Sequence, residues 1–228
     1  MIPRNHLISI GILFVAACGV SLYFQDRLPD PCPIHWNLHG EIDDYGPPLL
    51  AAWLMPMVTV GITALLAALP LLGPFRKNIE GFRVVYGRIC VMLAGIFLAL
   101  HVLFMLEAVG WHTRIGPSIG VICGIMFVAL GNWMGKMRRN LYIGIRTPWT
   151  LANDVVWEKT HRLGGRLFVA SGLLSIVVCL FAPDWMCFAV LIGTVGITTV
   201  WVLLYSLVCY RKLGQVDDLH RAPDGASS

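Results

Sequence analysis

This sequence is short of charge. Asp, Glu, Lys and Arg make up 13 % of its 228 residues, roughly half the share usual in soluble domains. Apolar types make up 57 %. So few polar side chains cannot cover the water-facing surface of a chain this size, which excludes a soluble monomer, and the apolar excess excludes a disordered chain. Recognisable catalytic signatures are lacking too: there is no Gly-x-x-x-x-Gly-Lys-Ser/Thr loop and no His-Glu-x-x-His. Nothing in the sequence therefore argues for an enzyme, and no cofactor is expected. The cysteines give no disulfide framework. Cys18, Cys90, Cys123, Cys179, Cys187 and Cys209 fall in or beside apolar runs, where cysteine behaves as a small hydrophobe, and Cys32 has no evident partner.

Long apolar runs are what the chain does have. A membrane-spanning helix needs about 20 mainly apolar residues, because its backbone must satisfy its own hydrogen bonds in hydrocarbon. Six segments qualify, at about 7–24, 49–72, 86–106, 117–135, 167–182 and 186–209. The reading is an all-α, polytopic integral membrane helix bundle with six transmembrane helices. The fifth segment is short, borrows length from residues near Arg166, and must turn tightly at Pro183-Asp184 into the sixth. Val15-Ala16-Ala17-Cys18 has the small-residue spacing of a lipoprotein cleavage site, but the apolar run continues to Phe24, so an uncleaved anchor is expected.

Charge distribution sets the orientation. The segment between the first two spans carries net –4, from Asp26, Arg27, Asp30, Glu41, Asp43 and Asp44. The segments after the second and fourth spans are basic. With both termini cytoplasmic, fifteen of the seventeen Lys and Arg lie inside, and Arg27 and Arg114 alone lie outside. The net +4 of the chain is then a topology signal, and no direct nucleic-acid binding is implied.

Two loops stand apart. The external one, 25–48, has prolines at 29, 31 and 33, which favour an extended, pre-set backbone, and turn signals at Gly40 and Gly46. Its candidates for recognition of a partner, or for a structural cap over the helix ends, are Pro33, His35, Trp36, His39, Gly40, Asp43, Asp44 and Tyr45. The two histidines with Cys32 and the acids offer zinc-type donors, but no His spacing on an assured helix supports a metal site. The second loop, 136–166, is cytoplasmic. Its Thr147-Pro148 pair is a helix start, and Leu151 to Leu163 is expected to run as an interfacial helix that bends at Gly164-Gly165 into the fifth span. On it Trp157 and His161 stack four apart, and Glu158 and Arg162 can pair. Arg138 and Arg139 need no more than the charge bias. Arg146, set between Gly144, Thr147, Pro148 and Trp149, suggests a shaped pocket for an anion or carboxylate, with Asp154 or Glu158 as candidate partners.

His101 is the one ionisable group well inside a span, and a neutral, hydrogen-bonded histidine is the expected state. Phe75-Arg76-Lys77-Asn78 with Gly81-Phe82-Arg83 faintly echoes Met137-Arg138-Arg139-Asn140 with Gly144-Ile145-Arg146, as duplicated hairpins would.

The run Gly131-Asn132, Gly135-Lys136, Arg139-Asn140, Gly144-Ile145-Arg146-Thr147-Pro148-Trp149-Thr150-Leu151, Val156-Trp157, Thr160-His161-Arg162 and Gly164-Gly165 resembles the SdpI family of bacterial membrane proteins. Leu28-Pro29, Pro33-Ile34-His35-Trp36, Gly40, Asp43 and Tyr45-Gly46 resemble the N-terminal domain of unknown function that often accompanies it. The resemblance implies three parts: an N-terminal module over 1–110, an SdpI-like module over 111–212 and a flexible cytoplasmic tail over 213–228. It implies a multi-pass protein of the bacterial inner membrane, of the immunity and signalling type. Such a protein would protect the cell from a secreted peptide toxin met outside and hold a small repressor protein inside. A small-molecule or ion transporter is the alternative reading.

Overall fold

The computed structural model describes residues 2–37, 39–69 and 80–221, with side chains as far as residue 213. Along the chain it has α1 (Arg4–Phe24), β1 (Cys32–Trp36), β2 (Ile42–Gly46), α2 (Pro48–Ala68), α3 (Arg83–Ala108), α4 (Ile115–Met134), α5 (Pro148–Ala152), α6 (Asp154–Phe181) and α7 (Asp184–Arg221). Six of these helices, α1, α2, α3, α4, α6 and α7, are long and apolar enough to cross a membrane. Their outer faces carry bare apolar side chains such as Val15, Met57, Ile197 and Trp201. In water so large an apolar surface would drive aggregation, whereas in a bilayer it meets acyl chains.

The helices group as α1–α3 and as α4, α6 and α7, joined by contact between α3 and α4. Glycine sets the α4–α6 contact. A Cβ on Gly131 would lie 2.5 Å from the carbonyl oxygen of Gly165, and one on Gly172 would lie 2.5 Å from that of Gly124. The two backbones therefore touch at both places. Gly124 and Gly131 are seven apart, as are Gly165 and Gly172, so one seam of small residues is kept in register along two antiparallel helices. Where α3 and α4 meet, Tyr86, Ile89, Cys90, Met134 and Met137 form one core to which residues 142, 143 and 145 also contribute.

Three features depart from the sequence reading. The external segment is a β-hairpin: β1 and β2 pair antiparallel, with register shifts around His35. The stretch expected as one interfacial helix is two helices, broken at Asn153, whose backbone is extended and whose side chain caps α6. Finally, α6 is 28 residues long and continues unbroken through Gly164-Gly165. Those glycines do not interrupt it. Gly165 meets α4, and Gly164 faces Ile145 and Met134, so the segment expected as a separate interfacial helix is the first part of the helix that goes on to form the fifth span. At the other end, α7 continues to Arg221. The faint echo at 75–78, the end of the second run, and the last residues of the tail lie outside the described residues, as does Leu38.

Candidate functional site

The two ends of the bundle are built differently, and each holds one group of the candidate residues. At the end nearer α2's start, β1 faces inward. Cys32 is fully buried against Ala51, Met105 and Ala108, with Ile34 packed on the same cluster. Burial pushes the Cys32 thiol up from its ordinary value. Trp36 stacks on Phe104 of α3, with ring centroids 5.2 Å apart and planes 13° off parallel. The hairpin is thus clamped onto the bundle by its first strand.

The turn of the hairpin is organised by Asn37, which sequence reasoning passed over. Its side-chain oxygen accepts from the backbone N–H groups of His39 and Glu41 at 2.8 and 3.0 Å. Its amide donates to Glu41 Oε2 at 3.0 Å. An Asn two to three residues before a Gly is the turn signal that pointed to it. Gly40, at φ +79, completes the reversal. The second strand is left outward: Asp43, Asp44 and Tyr45 are exposed. Across the pair, His35 Nδ1 and Asp43 Oδ1 are 2.6 Å apart. Among the described residues no three His, Cys, Asp or Glu come together as a metal-holding group.

Below the hairpin, His101 is fully buried. Its Nε2 lies 3.0 Å from Ser21 Oγ, whose hydroxyl donates to the Ala52 carbonyl at 2.6 Å. One serine so ties α1, α2 and α3 together through a histidine. A small cavity of about 30 Å³ lies between His101 and Trp36, lined also by Phe104 and Met105.

At the opposite end, residues 135–161 wind into a dense polar knot. His161, fully buried, is its centre. Its Nε2 accepts the backbone N–H of Ile145 at 3.0 Å, while Nδ1 is 2.9 Å from the Trp157 carbonyl. That pattern requires the proton on Nδ1 and a neutral ring. Trp157 stacks on it at 3.9 Å and donates its indole N–H to the Met137 carbonyl at 2.8 Å. Gly144 crosses this ring pair at φ +108, and a Cβ there would fall 2.4 Å from His161 Nε2. Only glycine meets both demands.

Around this pair the remaining residues close the loop. Asn140, also fully buried, accepts the N–H groups of Tyr142 and Ile143 at 2.8 and 2.9 Å and donates to the Arg138 carbonyl at 2.8 Å. Thr147 and Thr150 form a reciprocal cap on α5, with Pro148 at its first position. Thr150 also donates to the Ile145 carbonyl at 2.9 Å. Trp149 reaches α7, donating to Ser206 Oγ at 2.5 Å. Thr160 is fully buried one residue before His161.

The arginines sort themselves in an order the sequence did not suggest. Arg139, taken above as a generic charge, is half-buried, donates to the Leu151 carbonyl at 2.8 Å and pairs with Asp154 at 2.9 Å. It ties the loop to the start of α6. Arg146 meets neither expected carboxylate. It is exposed and donates to the Leu141 carbonyl at 2.5 Å. Arg162 pairs with Glu158 one turn away at 2.8 Å. Open space lies beside the knot: one cavity of about 530 Å³ is lined by Lys136, Arg138, Arg139, Asp154 and Glu158, and a groove of about 600 Å³ adjoins it. Asn132, on the last turn of α4, lines that groove.

The chain carries an SdpI/YfhL-family region. That family's match spans residues 136–206, which run from Lys136 through the rest of the knot, α5, all of α6 and more than half of α7. Residues 12–60, spanning most of α1, the hairpin and the start of α2, match a domain of unknown function, DUF1648. The immunity protein SdpI of Bacillus subtilis (strain 168) is 26 % identical over 210 residues, covering 92 % of this chain and 98 % of that relative. No solved structure matches. The six spans together with this SdpI likeness make the chain a multi-pass protein of the bacterial inner membrane.

Proposed function

We propose that this chain is a membrane immunity and signalling protein. In this reading the hairpin faces the outside, where it meets a secreted peptide toxin, and the polar knot faces the cytoplasm, where it presents a surface to a small repressor protein. The observation that carries the reading is the near end-to-end likeness to an immunity protein, which takes in both the hairpin region and the knot. The charge pattern supports the orientation. Basic residues gather at the knot end, from Arg83 and Arg88 through Lys136 to Arg166, and the exposed hairpin strand carries Asp43 and Asp44. An anionic outer strand with an exposed tyrosine suits a cationic, amphipathic peptide. On the inner side the knot is a fixed platform and not a flexible basic loop, which suits recognition of a folded partner.

The test is expression of the chain in a bacterium that lacks its own immunity protein and is killed by the peptide toxin to which the Bacillus subtilis relative confers immunity. Survival at matched membrane abundance supports the proposal. Unchanged killing rejects it in favour of the transporter reading, which predicts substrate flux in proteoliposomes.

A further inference from the structure

The groove beside the knot is built by two helices at their closest approach. Gly131 of α4 touches the Gly165 backbone of α6, so the side chains flanking that contact are brought together from both sides. From the α4 side come Asn132 and, just past the helix end, Lys136. From α6 come Arg162 and Arg166. The stem of Arg162 packs beside Gly135, its Cγ 3.6 Å from where a Cβ would lie. The lining thus carries three cations and one amide, with Gly131, Gly135, Gly165 and Val169 as floor and wall, and no acid. Glu158 is held by Arg162, and Asp154 is held by Arg139. Lys136 and Arg166 are exposed, and among the described residues neither is in an ion pair with a carboxylate.

The charge bias of the inner face explains why basic residues occur at this end. It does not explain why they converge from two helices on one groove of about 600 Å³ at the end of the spans. Ammonium, guanidinium and amide donors meeting in an open groove at headgroup depth match the oxygens of a phosphate group. Acyl chains would run down the neighbouring lipid-facing surface, where Val169 begins the apolar wall.

We propose that this groove binds a phosphate group, supplied in the membrane by the headgroup of an anionic phospholipid. Lys136 and Arg166 carry the charge, Arg162 contributes while still bridged to Glu158, and Asn132 adds a neutral donor. The site is separate from the proposed toxin-facing hairpin and needs no repressor, so it stands whether or not the immunity reading holds.

The experiment uses the full chain in nanodiscs of phosphatidylglycerol mixed with phosphatidylcholine, with retained lipid counted by native mass spectrometry after release. Wild type retains phosphatidylglycerol in preference to phosphatidylcholine. The double variant Lys136→Gln with Arg166→Gln reduces that preference about tenfold. The pair Arg83→Gln with Arg88→Gln removes equal charge from the same end of the bundle and leaves the preference in place. Lys136→Arg with Arg166→Lys preserves it too, which guards against a folding defect in the double variant. Millimolar inorganic phosphate separates the sources: displacement of the retained lipid assigns the groove to phosphate at large, and persistence assigns it to the lipid. Equal loss in the two charge-removal pairs, or no preference in wild type, overturns the proposal.

Discussion

The hairpin and the knot are both irregular segments between apolar helices, yet they put their polar residues to opposite uses. The knot turns them inward: Asn140, Thr150, Thr160 and His161 are all fully buried, and most hydrogen bonds of Asn140, Thr150 and His161 end on backbone groups of the knot. The hairpin turns them outward, holding itself to the bundle by Cys32, Ile34 and Trp36 and leaving Asp43, Asp44 and Tyr45 exposed. The difference teaches where sequence change will be felt as loss of structure and where as loss of recognition. A buried polar group deprived of its partner costs the full desolvation of the one left behind, while an exposed one is rehydrated.

The largest expected effect is at Gly144. Gly144→Ala forces a side chain into positive φ and against His161, and should cost about 3 kcal/mol, a fall of roughly 10 °C in the thermal transition in detergent. An unchanged transition would dissolve the contrast between the two ends. His161→Leu comes next. It strands the Ile145 N–H and removes the stack on Trp157, for about 2 kcal/mol, again read as the thermal transition.

A smaller effect ranks the arginines. Arg139→Gln should destabilise by about 1 kcal/mol through the Leu151 carbonyl, since its partner Asp154 is largely exposed and such pairs are worth little. Arg146→Ala should cost less than that, and Arg138→Ala least, as chemical denaturation of the three variants would show. Arg146 losing more than Arg139 would return the loop to the anion-pocket reading.

At the hairpin the contrast is sharpened by reactivity. Cys32 is buried and its thiol is pushed up, so less thiolate is present at pH 8 than for an ordinary cysteine. Maleimide should therefore label it slowly in the native protein and readily after Trp36→Ala, which frees the first strand. Mass spectrometry of the labelled chain reads both rates. Smallest of all is the stability change in Asp43→Asn with Asp44→Asn, under about 0.5 kcal/mol.

Much of this was legible in the sequence, for identifiable reasons. Six apolar runs are read directly because hydrocarbon imposes length and composition on a spanning helix. The Thr147-Pro148 start, the Trp157–His161 stack and the Glu158–Arg162 pair were legible because they depend on neighbours one helical turn away. Asn153 was overrun because apolar periodicity continues on both sides of it, although an Asn directly before Asp154 is an N-cap signal. The hairpin was seen as extended backbone but not as paired strands, since its alternation is blurred by prolines and register shifts. Arg139 could not be told from Arg138 by any local pattern. What separates them is the Leu151 carbonyl twelve residues on, a contact set by tertiary folding. Gly164-Gly165 read as a hinge because glycine pairs often are one. Their use as a helix–helix contact surface becomes visible only with Gly131 opposite.

The central claim is that the exposed strand of the hairpin recognises a toxin while the rest of the molecule holds it in place. It is tested most directly by the triple variant Asp43→Asn, Asp44→Asn, Tyr45→Ala in the killing assay, with membrane abundance and thermal transition measured on the same cells. The account predicts that protection is lost while abundance and the transition stay at wild-type values. Full protection by the triple variant, or protection lost only in step with abundance, would contradict it.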